Sequence, residues 1–192
     1  MKQDVASSQT GPWFDVVSTD GGVALEVLGL STGARVLDVG TGKGNFAIFL
    51  ALQGFDVVTG EPSTDGSHYA RQGWAENARQ AGVEERIRFA DFDGAQMPFA
   101  DGDFDGVFFY GVLHHVDEAQ RAAVVREALR VVKPGCWVVL FEPRKERLQM
   151  IRVEDPGHPE AADPLAYVDD ERAESRRIEG SFMDIFLCRK LG

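Results

Sequence analysis

Cysteine is nearly absent from this chain: there are two, Cys136 and Cys188. Both fall in apolar runs that read as strands, so buried reduced thiols are expected and a disulfide framework is not. Long hydrophobic runs are missing as well. Nothing approaches the roughly 18 consecutive apolar residues of a spanning helix, so no membrane partner is expected. Positive charge is scarce, with 20 Lys and Arg against 31 Asp and Glu, a formal net charge of -11. Phosphate backbones recruit Lys and Arg surfaces, and that balance argues against a nucleic-acid partner. The two basic clusters, "RKER" at 144–147 and "RR" at 176–177, are too sparse to reverse it. The opening "MKQDVASSQTGPWFD" has no long apolar core of the signal-peptide kind, and the cytoplasm is the expected compartment.

What the chain does have is a regular alternation. Its 192 residues, 44% of them apolar, suit a single domain over 1–192 with a substantial core. An N-terminal segment, 1–33, is expected to carry a helix over 11–30. From Arg35 onward, "RVLDVG" (35–40), "DVVTGE" (56–61), "RIRFAD" (86–91), "FDGVFFYG" (104–111) and "CWVVLFEP" (136–143) read as strands. Between them, "NFAIFLALQG" (45–54), "GSHYARQGWAENARQAG" (66–82) and "DEAQRAAVVREALRVVKPG" (117–135) read as helices, the last stopped by Pro134-Gly135. Nearly unbroken apolar strands alternating with helices imply a mostly parallel sheet covered on both faces, the doubly wound α/β arrangement. After Pro143 the pattern weakens. Residues 144–180 are charged and interrupted by Pro156, Pro159 and Pro164, which suits a substrate or lid region, and "SFMDIFLCRK" (181–190) returns as a strand.

In such sheets ligands bind beyond the carboxyl ends of the strands, and "VLDVGTGKGN" (36–45) forms the first strand-to-helix turn. A phosphate-binding loop of the form G-x-x-x-x-G-K-[ST] is not met, because Gly44 follows Lys43. A dinucleotide fingerprint is met in its first half only, since Asn45 replaces its last glycine. The pattern is D-x-G-x-G-x-G, with Asp38 two residues before Gly40. A carboxylate there is unhelpful to a pyrophosphate. S-adenosylmethionine carries no phosphate, and its ammonium is a group that a carboxylate attracts. Glu61, at the end of the second strand, stands where an acidic side chain can bind both hydroxyls of a ribose.

These motifs resemble the class I S-adenosylmethionine-dependent methyltransferases, over about Ala34 to Pro143. "DGAQMPFADGDFDGVFFYGVLHHV" (93–116) is similar to that family's third and fourth signature regions, and "LRVVKPGCWVVLFEP" (129–143) to the helix, turn and strand that close its core. The resemblance implies a Rossmann-like fold of seven strands, mostly parallel with the last one antiparallel, and "ESRRIE" (174–179) is the candidate for the sixth. It implies S-adenosyl-L-methionine as methyl donor and a small-molecule acceptor. Cofactor contacts are then expected from Asp38, Gly40, Thr41, Gly42, Gly44, Asn45, Glu61, Pro62, Asp93, Gly94, Tyr110 and Gly111. Asp93 takes the adenine amino group, with Asp91 as its rival. The oligomeric state is not readable.

Other residues have plainer readings. Lys43 is expected to face solvent, Asn45 to cap its helix, and Asp103 and Asp105 to be turn residues at the far end of the sheet. His114 and His115 are candidate catalytic residues, since histidine suits a neutral-pH base. Adjacent residues on a helix face different ways, so they make a poor ligand pair and no metal site is expected. Glu142 is expected either to bind substrate or to pair with Arg144. His158 falls in a loop, where solvation is as fitting as function. Trp13 and Phe14 suit either the lining of a substrate pocket or, as the default, docking of the first helix on the sheet. Two readings from other classes stand beside methyl transfer: a cofactor-binding adaptor or regulator without transfer, and a nicotinamide-dependent oxidoreductase, which Asn45 disfavours.

Overall fold

A computed structural model describes residues 12–70, 72–169 and 171–192. Helix α1 (Pro12–Leu28) precedes strand β1 (Arg35–Val39), helix α2 (Asn45–Leu52), strand β2 (Asp56–Glu61), helix α3 (Trp74–Gln80) and strand β3 (Ile87–Asp91). Strand β4 (Phe104–Tyr110), helix α4 (Glu118–Val131), strand β5 (Val132–Pro143), helix α5 (Lys145–Glu154) and strands β6 (Ala173–Glu179) and β7 (Met183–Lys190) follow. The sheet order is β3-β2-β1-β4-β5-β7-β6. The first five of these strands pair in parallel, while β7 is antiparallel to both β5 and β6. The seven-stranded expectation therefore holds, including "ESRRIE" as the sixth strand.

The core lies in two layers. One gathers Phe14, Phe46, Phe49, Phe108 and Phe141 beneath α1 and α2, and the other gathers Leu37, Phe104, Phe109, Leu113 and Leu140 beneath α4. Helix α2 is apolar all round and buried from Phe46 to Ala51, because α1 covers the side that the sheet does not. Both cysteines are free thiols, Cys188 fully buried. Phe14 is fully buried against the first layer, as expected; the side chain of Trp13 and all of residues 1–11 lie outside the described residues.

Two helices differ from expectation. The one read over 66–82 is confined to Trp74–Gln80, with Gly73 at φ +72 as its N-cap. That left-handed backbone breaks the helical run, and the preceding residues turn back over the glycine loop. The helix read over 117–135 ends at Val131. Pro134 lacks the N–H a helix would need and pushes Lys133 out of helical geometry. The carbonyl of Arg130 accepts instead from Gly102 N (3.0 Å) and Lys190 Nζ (3.1 Å), and β5 begins at once. Asp103 and Asp105 do lie at the far end, but as anchors: Asp103 pairs with Arg35, and Asp105 with Lys133 and the backbone N–H of Arg35.

Candidate functional site

The order of strands reverses between β1 and β4, and the carboxyl ends there open the crevice where such sheets bind ligands. The glycine loop fills that edge. Gly40 has φ +89, and a Cβ on it would stand 2.5 Å from Val112 Cγ2. Gly44 has φ +78, and a Cβ would meet Trp74 Cβ at 2.9 Å. Both positions thus need glycine for backbone and for space. Gly44, not Asn45, is the N-cap of α2, and no side chain caps that helix. Asn45 is its first residue.

Behind the loop stand the two acids. Asp38 and Thr59 are partners in the β1–β2 register, and Glu61 ends β2 two residues on. Thr59 Oγ1 donates to Asp38 Oδ2 at 2.8 Å, and Thr41 Oγ1 lies 3.0 Å from Thr59 Oγ1. Since Thr59 gives its proton to the carboxylate, Thr41 is the donor of the second bond. Asp38 is 1% exposed, and its Oδ1 has no hydrogen-bond partner among the described residues. Burial pushes its carboxyl up to about 7, the Thr59 bond opposes that, and the Glu61 charge adds to it. Glu61 Oε2 accepts the Gly42 N–H at 3.0 Å, joining the second acid to the glycine loop.

The remaining expected contacts spread around this centre. Asp93 Oδ1 accepts from Ala95 N (2.8 Å) and opens the loop that Arg130 clamps through the carbonyls of Met97 and Phe99. Asp91, its rival, accepts from Ser63 N at 2.7 Å, just after Pro62. A Cβ on Gly94 would stand at ordinary contact distance from Val39 and Val124. Tyr110 stacks on Phe46 with ring centroids 5.0 Å apart, so its ring belongs to the core; burial raises its phenol pKa. Gly111, at φ +69, donates to Phe141 O and lies near both Met183 and His114.

A second cluster adjoins the loop. Leu113–His115 form a 3-10 turn rather than a helix, and the rings of His114 and His115 lie 4.2 Å apart. His158, 5% exposed, is brought to them from the segment after α5, its Nε2 3.2 Å from His114 Nε2. One ring nitrogen from each of the three lies within 4.8 Å of the others. The expectation that His114 and His115 make a poor ligand pair assumed a helix; in this turn their rings lie side by side. Of the two readings left open for His158, solvation and function, its burial in the cluster disagrees with the first. Glu142 turns to His114, not to Arg144, which binds Gly180 O and pairs with Glu179. Tyr69 was missed by sequence reasoning. Its hydroxyl donates to Asp155 Oδ2 at 2.7 Å, and its carbonyl lies 3.3 Å from where a Cβ on Gly42 would stand.

The profile of a family described as a methyltransferase domain matches residues 37–140, more than half the sequence. The chain belongs to this family. That agrees with the resemblance carried by the glycine loop and its acids. Among curated relatives, 27-O-demethylrifamycin SV methyltransferase of Amycolatopsis mediterranei is 36% identical over 109 residues, 57% of this chain and 38% of the relative. Demethylmenaquinone methyltransferase of Beutenbergia cavernae is 36% identical over 118 residues, 62% of this chain and 44% of the relative. The methyltransferase-domain chain thus spans less than half the length of these two. Of solved structures, a putative S-adenosylmethionine-dependent methyltransferase from Methanococcus maripaludis matches with a TM-score of 0.70 at 17% identity, covering 99% of this chain and 90% of that one. At such identity the likeness is one of fold.

Proposed function

We propose that this methyltransferase-domain chain moves the methyl group of S-adenosylmethionine to a small-molecule acceptor. The observation that carries the reading is the fully buried Oδ1 of Asp38, without a hydrogen-bond partner among the described residues and set behind a loop that tolerates no side chain at Gly40. A buried carboxylate oxygen without a donor is costly, and a ligand ammonium meets that need. The cofactor therefore fits the residues present. When bound, it supplies a methyl group on a sulfonium that departs as a neutral thioether.

The chain's own residues bind and orient. Asp38 takes the ammonium, Glu61 the ribose hydroxyls and Asp93 the adenine amino group, while Gly40, Thr41, Gly42, Gly44, Asn45, Pro62, Gly94, Tyr110 and Gly111 form the surrounding wall. Holding acceptor, methyl carbon and sulfur in line supplies much of the rate without acid catalysis. His114 and His115 are the candidates to accept a proton where the acceptor atom carries one. The relatives are named for a rifamycin and a demethylmenaquinone, both small molecules, and the net charge of -11 agrees with such an acceptor.

Titration calorimetry with S-adenosylhomocysteine tests the reading. Glu61→Ala should weaken binding by about 1–3 kcal/mol, through loss of charged hydrogen bonds. Unchanged affinity would remove Glu61 from the ribose role, and no binding by the wild-type chain would remove the function. A second reading, cofactor binding without transfer, is favoured by the Tyr69–Asp155 bond, which ties the segment over Gly42 to the region after α5. Methylation of any acceptor with release of S-adenosylhomocysteine would exclude it.

A further inference from the structure

Three of the chain's four histidines meet at one point, and the protons on two of them can be assigned from their neighbours. His114 Nδ1 lies 2.7 Å from Glu142 Oε2, which also accepts the Ala162 N–H at 2.9 Å. A carboxylate only accepts, so His114 Nδ1 carries hydrogen. His158 Nδ1 faces the Tyr69 hydroxyl at 3.1 Å and Asp155 Oδ2 at 3.3 Å. Tyr69 has already given its proton to Asp155, so both groups present lone pairs and His158 Nδ1 carries hydrogen too. Each ring then has its lone pair on Nε2. Those two Nε2 atoms face one another at 3.2 Å, both buried, with no proton left to share.

Two converging lone pairs repel unless a cation lies between them. We propose that His114, His115 and His158 bind one divalent transition-metal ion of the zinc class, leaving a further coordination position for a ligand. Two nitrogens on a tetrahedral zinc, each at ~2.0–2.1 Å, stand about 3.3 Å apart, close to the observed separation. Glu142 and Asp155 play the part that carboxylates commonly play behind metal-bound histidines, fixing the tautomer and the ring's direction. Arg152 fixes the third ligand by donating twice to the carbonyl of His158. A proton is the competing cation, but it would bridge His114 and His158 alone and leave the third converging nitrogen, from His115, unused.

Three protein ligands rather than four are the mark of an open site. His115 is exposed, so the open position is reachable from solvent. The donor atom that takes it is an oxygen, nitrogen or sulfur of the acceptor, and this step alone rests on the methyl-transfer reading. With their lone pairs committed to the ion, His114 and His115 then serve as ligands in place of the base role given above.

The test is titration of ZnCl2 alone into the 192-residue chain stripped with chelator, without donor or acceptor. One equivalent per chain should bind, and Co2+ should give the intense visible bands of a low-coordinate site. His115→Ala, at an exposed position, should lower zinc affinity at least tenfold with thermal unfolding unchanged, and His158→Gln, which also gives up buried hydrogen bonds, should lower zinc affinity by as much. Absence of stoichiometric binding, or equal affinity in wild type and both variants, would overturn the proposal. Affinity for S-adenosylhomocysteine, measured on the same metal-free protein, reports separately on the function proposed above.

Discussion

The glycine loop and the histidine cluster share one edge of the sheet, yet they are assembled in opposite ways. The loop is local: Asp38, Gly40, Gly42 and Gly44 lie within seven consecutive residues, and one strand pairing brings Thr59 and Glu61 beside them. The cluster is remote. Tyr69, His114, His115, Glu142, Asp155 and His158 come from four separate stretches of chain, and Tyr69 and His158 stand 89 positions apart. One site is written in short spacing and depends on backbone conformation. The other exists only once the segments after β2 and β5 have folded over the edge.

The largest effect should come from striking the loop. Gly40→Val places a branched side chain at φ +89 and drives it into Val112, 2.5 Å from the new Cβ. The unfavourable backbone and the overpacking together should cost about 4 kcal/mol. Chemical denaturation should show the loss, and S-adenosylhomocysteine binding should vanish. A variant with full stability and affinity would mean that the loop is no tighter than the cluster, and the contrast would fail.

A smaller loss is expected on the other side. Glu142→Ala leaves the buried Nδ1–H of His114 and the Ala162 N–H without their shared acceptor. Each unsatisfied group carries a penalty, and the net destabilisation should be about 2 kcal/mol. Affinity for S-adenosylhomocysteine should change by less than threefold, because Glu142 touches neither the loop nor its acids. Glu142→Gln should recover part of the stability, since its amide oxygen still accepts. Equal loss of cofactor affinity in both variants would mean that the two regions act as one unit.

The same contrast explains what could be read from the sequence. Parallel strands announce themselves as apolar runs, and the D-x-G-x-G-x-G spacing names its own chemistry, so β1 to β5 and the crevice were legible. The hidden parts are those where a tertiary contact overrides local pattern. "GSHYARQGW" has helical spacing, yet Gly73 breaks the run and frees Tyr69 to reach Asp155, 86 residues on. His158 sits among prolines and acids that read as a solvated loop, and nothing nearby in sequence signals its burial. The fully buried Asp20 was equally silent: it lies within α1 and accepts from the N–H groups of Ser181, Phe182 and Met183 at the β6–β7 turn. A signal did exist for the histidines. Only four occur in 192 residues, and "LHH" precedes a helix whose N-cap is Asp117.

The finest test concerns protons. Asp38 has a folded pKa near 7, well above the usual carboxylate value, through burial first and the Glu61 charge as well. A carboxyl raised in the fold opposes stability where it must ionise. The penalty is absent below the unfolded value of about 4, grows as pH rises towards 7, and is complete above it. Asp38→Asn should therefore make the ligand-free protein more stable at pH 8 and leave it little changed at pH 4. A cofactor ammonium needs the ionised form, so wild-type affinity for S-adenosylhomocysteine should rise about tenfold between pH 6 and pH 8, following the ionised fraction of a group near 7. Calorimetry in buffers of differing ionisation enthalpy should register a released proton at pH 6. In Asp38→Asn the profile should be flat and the affinity low throughout. A wild-type profile already flat over that range would detach Asp38 from the ammonium, and the glycine loop would lose the group that sets its preference among ligands.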